Sequence, residues 1–167
     1  MEIKTPEHIE QMLESLILSR AKRKKLHRHL SNQTRRYFRS QIRKQRDIKD
    51  LPFAPRSRRN KVNLDMRRNM FTGLSKMLMA HSDEEGFSVG LAGLAGVIGE
   101  VHNEGKTVNF PARINGWFNK NTNQWEGGKK VRMAYKMPQR TIVGWSPKLE
   151  QEIAHEIFNA MKTELKK

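Results

Sequence analysis

His102-Asn103-Glu104 sets an imidazole two residues from a carboxylate, a pair that can share a cation or move a proton in a nuclease-like site. The remainder of such a site is missing. No further His or acidic residue recurs nearby at ligand spacing, and the chain has no cysteine to complete the ligand set of a zinc deaminase. His155-Glu156 opens like the helical zinc-protease motif, but Asn159 stands four residues after His155, where the second histidine ligand belongs. There is no glycine-rich phosphate loop. The expectation is a protein that is not an enzyme, with no catalytic residues, no metal ligands and no cofactor.

The stronger chemical signal is electrostatic. From Arg20 to Arg46 the chain holds twelve Lys and Arg and no Asp or Glu. Wound as a helix, the stretch puts Leu26, Leu30, Tyr37, Phe38 and Ile42 on one side and Arg28, Arg35, Arg39, Arg43 and Arg46, with Arg36, largely on the other. Long basic side chains can simply solvate a helix and cover apolar surface with their stems. A solvated helix, however, gains a few tenths of a kcal/mol from each i,i+4 Glu–Lys pair, and this one forgoes all of them. The face therefore calls for an anionic partner, either DNA or an acidic protein surface. Its aromatic residues, Tyr37 and Phe38, belong to the packing side, which argues against base stacking and sequence readout.

The 167 residues suffice for one domain with a real core. The net charge of +16 is regional, because Arg20 to Lys76 holds twenty basic and three acidic residues while both ends are nearly balanced. Absence of cysteine fits a reducing compartment. No apolar run approaches membrane-spanning length and no signal peptide opens the chain, so neither a membrane role nor export is expected.

The elements that must position these residues follow from periodicity and punctuation. Thr5-Pro6-Glu7 opens a short helix through Ile17, and Ser19 can cap the basic helix, which should end near Asp47 to Asp50 before the two prolines of Leu51-Pro52-Phe53-Ala54-Pro55. Arg56 to Lys61 reads as a charged loop. A third helix is expected over Asp65 to Ala80, its methionines filling core. After the turn at Ser82 to Gly86, Phe87 to Leu91 alternates as a strand. Gly93, Gly96 and Gly99 then recur every third residue. Each glycine costs a helix about 1 kcal/mol relative to alanine, so another backbone should approach closely, from within the fold or from a neighbouring subunit. Val108 to Phe110 and Val131 to Tyr135 read as strands joined by hairpin-tip residues, with a further strand at Thr141 to Val143. Ser146-Pro147 caps a final helix with Leu149, Ile153, Ile157, Met161 and Leu165 as its stripe. The sum is an α+β chain: an N-terminal helical arm over residues 1–50, then a core over 51–167 with a small antiparallel sheet and a hairpin insertion near 114–136.

Four short motifs, in order, resemble a known family. They are Leu51-Pro52-Phe53-Ala54-Pro55-Arg56 after the basic helix; Met70-Phe71 ahead of Leu74; Phe87-Ser88-Val89-Gly90 leading to Val101-His102-Asn103-Glu104-Gly105; and Pro138-Gln139-Arg140 leading to Gly144. Together they resemble the virion morphogenesis, or tail completion, proteins of contractile-tailed bacteriophages, over roughly Leu16 to Glu164. The resemblance implies a structural virion protein at the head-proximal tail end or neck. Such a protein would be made in the host cytoplasm, enable head–tail joining, and form a homo-oligomeric ring, by analogy a hexamer. Its implied partners are its own copies, tail tube, tail terminator or sheath proteins, head connector proteins, and DNA passing through the ring. Pro55, Arg56, His102, Gly105, Pro138, Arg140 and Gly144 carry the matched motifs, with structural roles as the default. Phe110-Pro111-Ala112-Arg113 imitates the Pro-x-Arg element, but Gly144 and a capped helix follow Pro138 in the family's order. The segment between holds Trp117, Phe118 and Trp125, which form either a satellite core or, as favoured here, a contact surface. With Gly93, Gly96 and Gly99 they are the candidate interface residues. The alternative to a virion role is a nucleic-acid-binding protein, without sequence preference, that uses the basic helix.

Overall fold

A computed structural model of the chain describes residues 18–55 and 69–164. The helix expected over residues 5–17, the charged loop at 56–61, Arg56, Asp65, Met66 and the last three residues lie outside these. The described elements run α1 (Arg20–Lys44), α2 (Thr72–Lys76), β1 (Met79–Ser82), β2 (Phe87–Gly90), α3 (Gly93–Glu104), β3 (Thr107–Asn119), β4 (Gln124–Lys136) and α4 (Pro147–Glu164). The class is α+β, with two separate two-stranded antiparallel sheets rather than one.

The basic helix is also the spine of the core. Leu26, Leu30, Tyr37, Phe38 and Ile42 are buried, and Leu149, Ile153 and Ile157 of α4 pack on them together with Ile48, Phe53, Leu78 and Ile142. α1 thus does not stand apart from the rest; it lies against β1, β2, α2 and α4. Its buried histidine, His27, reaches the Asp83 carbonyl at the β1–β2 turn with Nδ1 at 2.9 Å. Exposed His29 meets Glu156 of α4 at 3.1 Å. Ser19 makes no side-chain cap. The helix ends because Gln45 turns left-handed, φ 58°, sending its backbone N–H back to the carbonyls of Gln41 and Ile42. The Gln45 side chain then grips Met70 twice, accepting from its N–H at 2.7 Å and donating to its carbonyl at 3.0 Å.

Two expected elements differ. The helix foreseen over Asp65 to Ala80 is, among described residues, only the five-residue α2. Phe71 is left-handed at φ 63°, Met77 ends the turn, and Met79 to Ser82 pairs as a strand with Phe87 to Gly90. Cross-strand pairing overrode a 3.6-residue pattern, and Met77 and Met79 are exposed rather than core filling. Thr141 to Val143 joins no ladder. Its backbone is satisfied by the Asn103 side chain, which accepts from Ile142 N–H at 2.8 Å and donates to the Val143 carbonyl at 2.7 Å, and by Ile48, whose N–H donates to the Thr141 carbonyl at 3.1 Å.

The glycine spacing has a local cause. A Cβ on Gly96 would lie 3.0 Å from the Leu91 carbonyl oxygen, and one on Gly99 would lie 2.7 Å from Leu91 Cδ1. α3 therefore packs on the residue that leads into it, while Gly93 supplies the positive φ of 57° at its start. Gly96→Leu is expected to destabilise by about 1–3 kcal/mol through overpacking, read as a lower urea midpoint. An unchanged midpoint would show that the Leu91 contact is easily relieved.

The strands expected at Val108 and Val131 are parts of one long hairpin. β3 and β4, thirteen residues each, pair from Thr107↔Lys136 to Asn119↔Gln124. They pack chiefly on each other.

Candidate functional site: a motif latch and a basic helix face

Three of the sequence motifs, far apart in the chain, meet at Arg140. Its side chain is buried, with Nε donating to the Ala54 carbonyl at 2.7 Å and Nη2 to the Pro55 carbonyl at 2.8 Å, while its backbone N–H donates to the His102 carbonyl at 2.8 Å. The planar guanidinium can hold two carbonyls at once because its donors form a fixed fork. Gly105 takes φ 65° and ends α3, and a Cβ there would lie 3.2 Å from the Met137 carbonyl oxygen. Gly144, φ 152°, faces Ile48 Cδ1 at 3.0 Å from where a Cβ would stand. Pro138 is half-buried beside them. The second motif joins through stacked edges: Phe53 meets Phe71 at 5.3 Å between centroids, and Phe71 meets His102 at 4.7 Å. These contacts bind the loop after α1, the end of α3 and the entry to α4 into one latch. Arg113 of the imitating Pro-x-Arg sits instead in β3, donating to the Gly127 carbonyl.

His102 is half-buried and its Nδ1 has no hydrogen-bond partner among the described residues. Burial, reinforced by the Arg140 charge, lowers its pKa from the ordinary 6.5. The unfolded chain therefore binds this proton more readily, so its contribution to stability is complete above pH 6.5 and is lost as the pH falls through the folded-state value. His102→Gln should flatten the fall in stability expected of the native chain as the pH drops below 6.5, measured by urea unfolding across that range. Identical slopes would remove His102 as the titrating group. Among the described residues no cluster of three or more His, Asp or Glu is placed to hold a metal ion. His155 is exposed and Glu156 is engaged with His29.

The basic face of α1 is not uniform. Arg39 donates Nε to the Ser75 carbonyl at 3.0 Å, Arg35 bonds Asn32 at 2.9 Å, and Arg46, beyond the helix end, pairs with Asp50 at 3.5 Å and donates to its carbonyl. Arg28, Arg36 and Arg43 are exposed and lie along one side of the helix. Arg36 and Lys44, with Lys148 from the start of α4, also line an open groove of about 260 Å³ that contains one carboxylate, Glu152. Such a groove can take an extended anion, whose charges the fixed cations would neutralise.

Trp117, Phe118 and Trp125 lie at the far end of the hairpin, Trp117 on the face opposite the Phe118–Trp125 pair. Phe118 and Trp125 are cross-strand partners with rings 5.8 Å apart, edge to face, and Trp117 lies over Gly127; all three remain exposed. They are thus no satellite core. Sequence reasoning missed the roles of Asn103 and Gln45. Both sit in polar stretches without periodicity, and only their backbone partners reveal them. No helix among the described residues is long and apolar enough to cross a membrane. The model of the phage virion morphogenesis family matches residues 5–162. No curated protein and no solved structure matches the chain.

Proposed function

The chain belongs to the phage virion morphogenesis family, and from that membership we propose that it is a non-enzymatic structural component that completes the tail and makes it competent to join the head. The observation that carries this reading is the family match over nearly the whole chain, supported by the latch that its motifs form. The reading places the protein at the head-proximal tail end as a ring of identical subunits, by analogy six. Its neighbours there would be tail tube, terminator or sheath proteins and the head connector.

A second reading uses the exposed cations. Arg28, Arg36 and Arg43, with the groove beside them, suit DNA phosphates or an acidic protein surface equally well in charge. DNA would reveal itself by salt, since affinity for duplex falls by about 0.9 log units per log unit of salt for each phosphate contacted. The triple variant Arg28→Glu, Arg36→Glu, Arg43→Glu should change folding stability by no more than about 0.5 kcal/mol per site and lower virion yield. Normal yield would remove this face from the assembly role. Electron microscopy of lysates lacking the gene tests the main reading. Separate filled heads and finished tails that purified protein joins would support it, and normally joined virions would reject it.

A further inference from the structure

Two apolar surfaces of this chain have no partner among its described residues. The first is one face of the β3–β4 hairpin. Alternate residues of a strand share a face, and the observed register sets Val108 opposite Tyr135, Phe110 opposite Met133 and Ala112 opposite Val131, with Ile114 opposite Lys129 ending the row. The other face carries Arg113 opposite Lys130, Pro111 opposite Arg132 and Thr107 opposite Lys136. The ribbon is therefore amphipathic, yet its apolar face is open, with Phe110 41% and Met133 45% exposed. A two-stranded hairpin is at best marginally stable in water without a further layer against it.

The second surface is on α3. Leu94, Val97 and Ile98 stand at i, i+3 and i+4, which places them on one side of the helix, and they are 77%, 56% and 40% exposed. The two surfaces are opposite in charge. Residues 107–136 hold six Lys and Arg against one Glu, whereas α3 holds Glu100 and Glu104 and no Lys or Arg. Both carboxylates contact Lys106, but that pairing is on the surface and weakly held. The ribbon cannot cover its own α3. Only Gly105 and Lys106 separate the helix from a strand that is in register from Thr107, and the Met137 N–H to Lys106 carbonyl bond of 3.0 Å closes the root of the ribbon.

We propose that the apolar face of the β3–β4 ribbon packs on the Leu94-Val97-Ile98 face of α3 in a second copy of the chain. A helix on an amphipathic ribbon is a standard two-layer packing, and the opposite net charges of the ribbon and the helix, with Lys129 on the apolar face itself, favour this pairing. Because the two surfaces differ, the contact is heterologous, the kind that builds a ring when its rotation divides a full turn. This names the subunit contact of the ring in the proposed function and rests on that reading. The tip aromatics, beyond the kink where Asn115, Gly127 and Gly128 take positive φ, remain free for another neighbour.

The chain has no cysteine, so engineered thiols report without background. Val97→Cys and Phe110→Cys variants, treated with a short bismaleimide, are expected to cross-link when mixed and to stay largely uncross-linked separately. The double variant should give a ladder ending at the closed ring. Phe110→Asp, which replaces an exposed side chain, should keep the native circular dichroism and associate about tenfold or more weakly by light scattering. Cross-linking of Phe110→Cys with itself would overturn the heterologous contact, as would a native chain that remains monomeric at every concentration reached. If the mixed cross-link forms but phage lacking the gene still make joined virions, the contact stands and the virion role falls. If virions require the gene but Phe110→Asp associates as the native chain does, only the contact falls.

Discussion

Arg140→Leu is expected to lower stability by about 2–4 kcal/mol, the largest single effect at any polar residue described here. Hydrogen bonds to a charged group contribute about 1.5–3 kcal/mol each, and the carbonyls they leave behind lose their partners. The side chain is 5% exposed and holds the Ala54 and Pro55 carbonyls from the far end of the chain. Its removal therefore frees the loop after α1 from the entry to α4. Arg140→Lys should recover less than half of the loss, because one ammonium cannot reproduce a fork. Arg113→Leu is the control: its bond lies within the ribbon, and the change should cost under about 1 kcal/mol. Urea unfolding of the three variants distinguishes the two Pro-x-Arg elements. Equal midpoints for Arg140→Leu and Arg113→Leu would mean that the latch does not hold the fold.

Leu30→Ala should cost about 2–5 kcal/mol, since it removes a side chain with no exposure from the contact between α1 and α4 and leaves a cavity. Arg36→Ala, six residues on and exposed, should change stability by no more than about 0.5 kcal/mol. The pair tests whether one helix serves two purposes, its apolar side holding the core and its basic side held for a partner. Comparable losses at both positions would show the arginine stems to be part of the packing. In that case reduced virion yield in the charge-reversed triple variant would reflect lost folding.

The helices α1 and α4 were legible because both are long and keep their apolar residues on one side, so periodicity alone orders Leu26 to Ile42 and Leu149 to Ile157. The N-cap of α4 was equally plain. Ser146 accepts from the Leu149 N–H at 3.3 Å, as a serine before a proline at the first helical position should. Charge was legible too, since a run of cations without counter-charge needs no structure to be seen. What failed was short and non-local. Met77 to Ala80 has helical spacing, but its fate depended on whether Phe87 to Gly90 would pair with it, a contact that spacing cannot express. Thr141 to Val143 has strand composition and no strand to join.

Sequence by itself determined that this is an α+β chain with a two-faced basic helix, a capped amphipathic C-terminal helix and four motifs in a family's order. Each of those properties is local or one-dimensional, carried by residue type and spacing. Tertiary structure decided the rest: that the basic helix is the centre of the core, that Arg35, Arg39 and Arg46 of the predicted cations are engaged by Asn32, Ser75 and Asp50 while Arg28, Arg36 and Arg43 lie exposed, and that Gly96 and Gly99 answer to Leu91 of their own chain. It also set Arg140 against Ala54 and Pro55, more than eighty residues away. The physical reason is common to all of these. A side chain's hydrogen-bond partner and its burial are properties of what folds against it, and no window along the chain contains that.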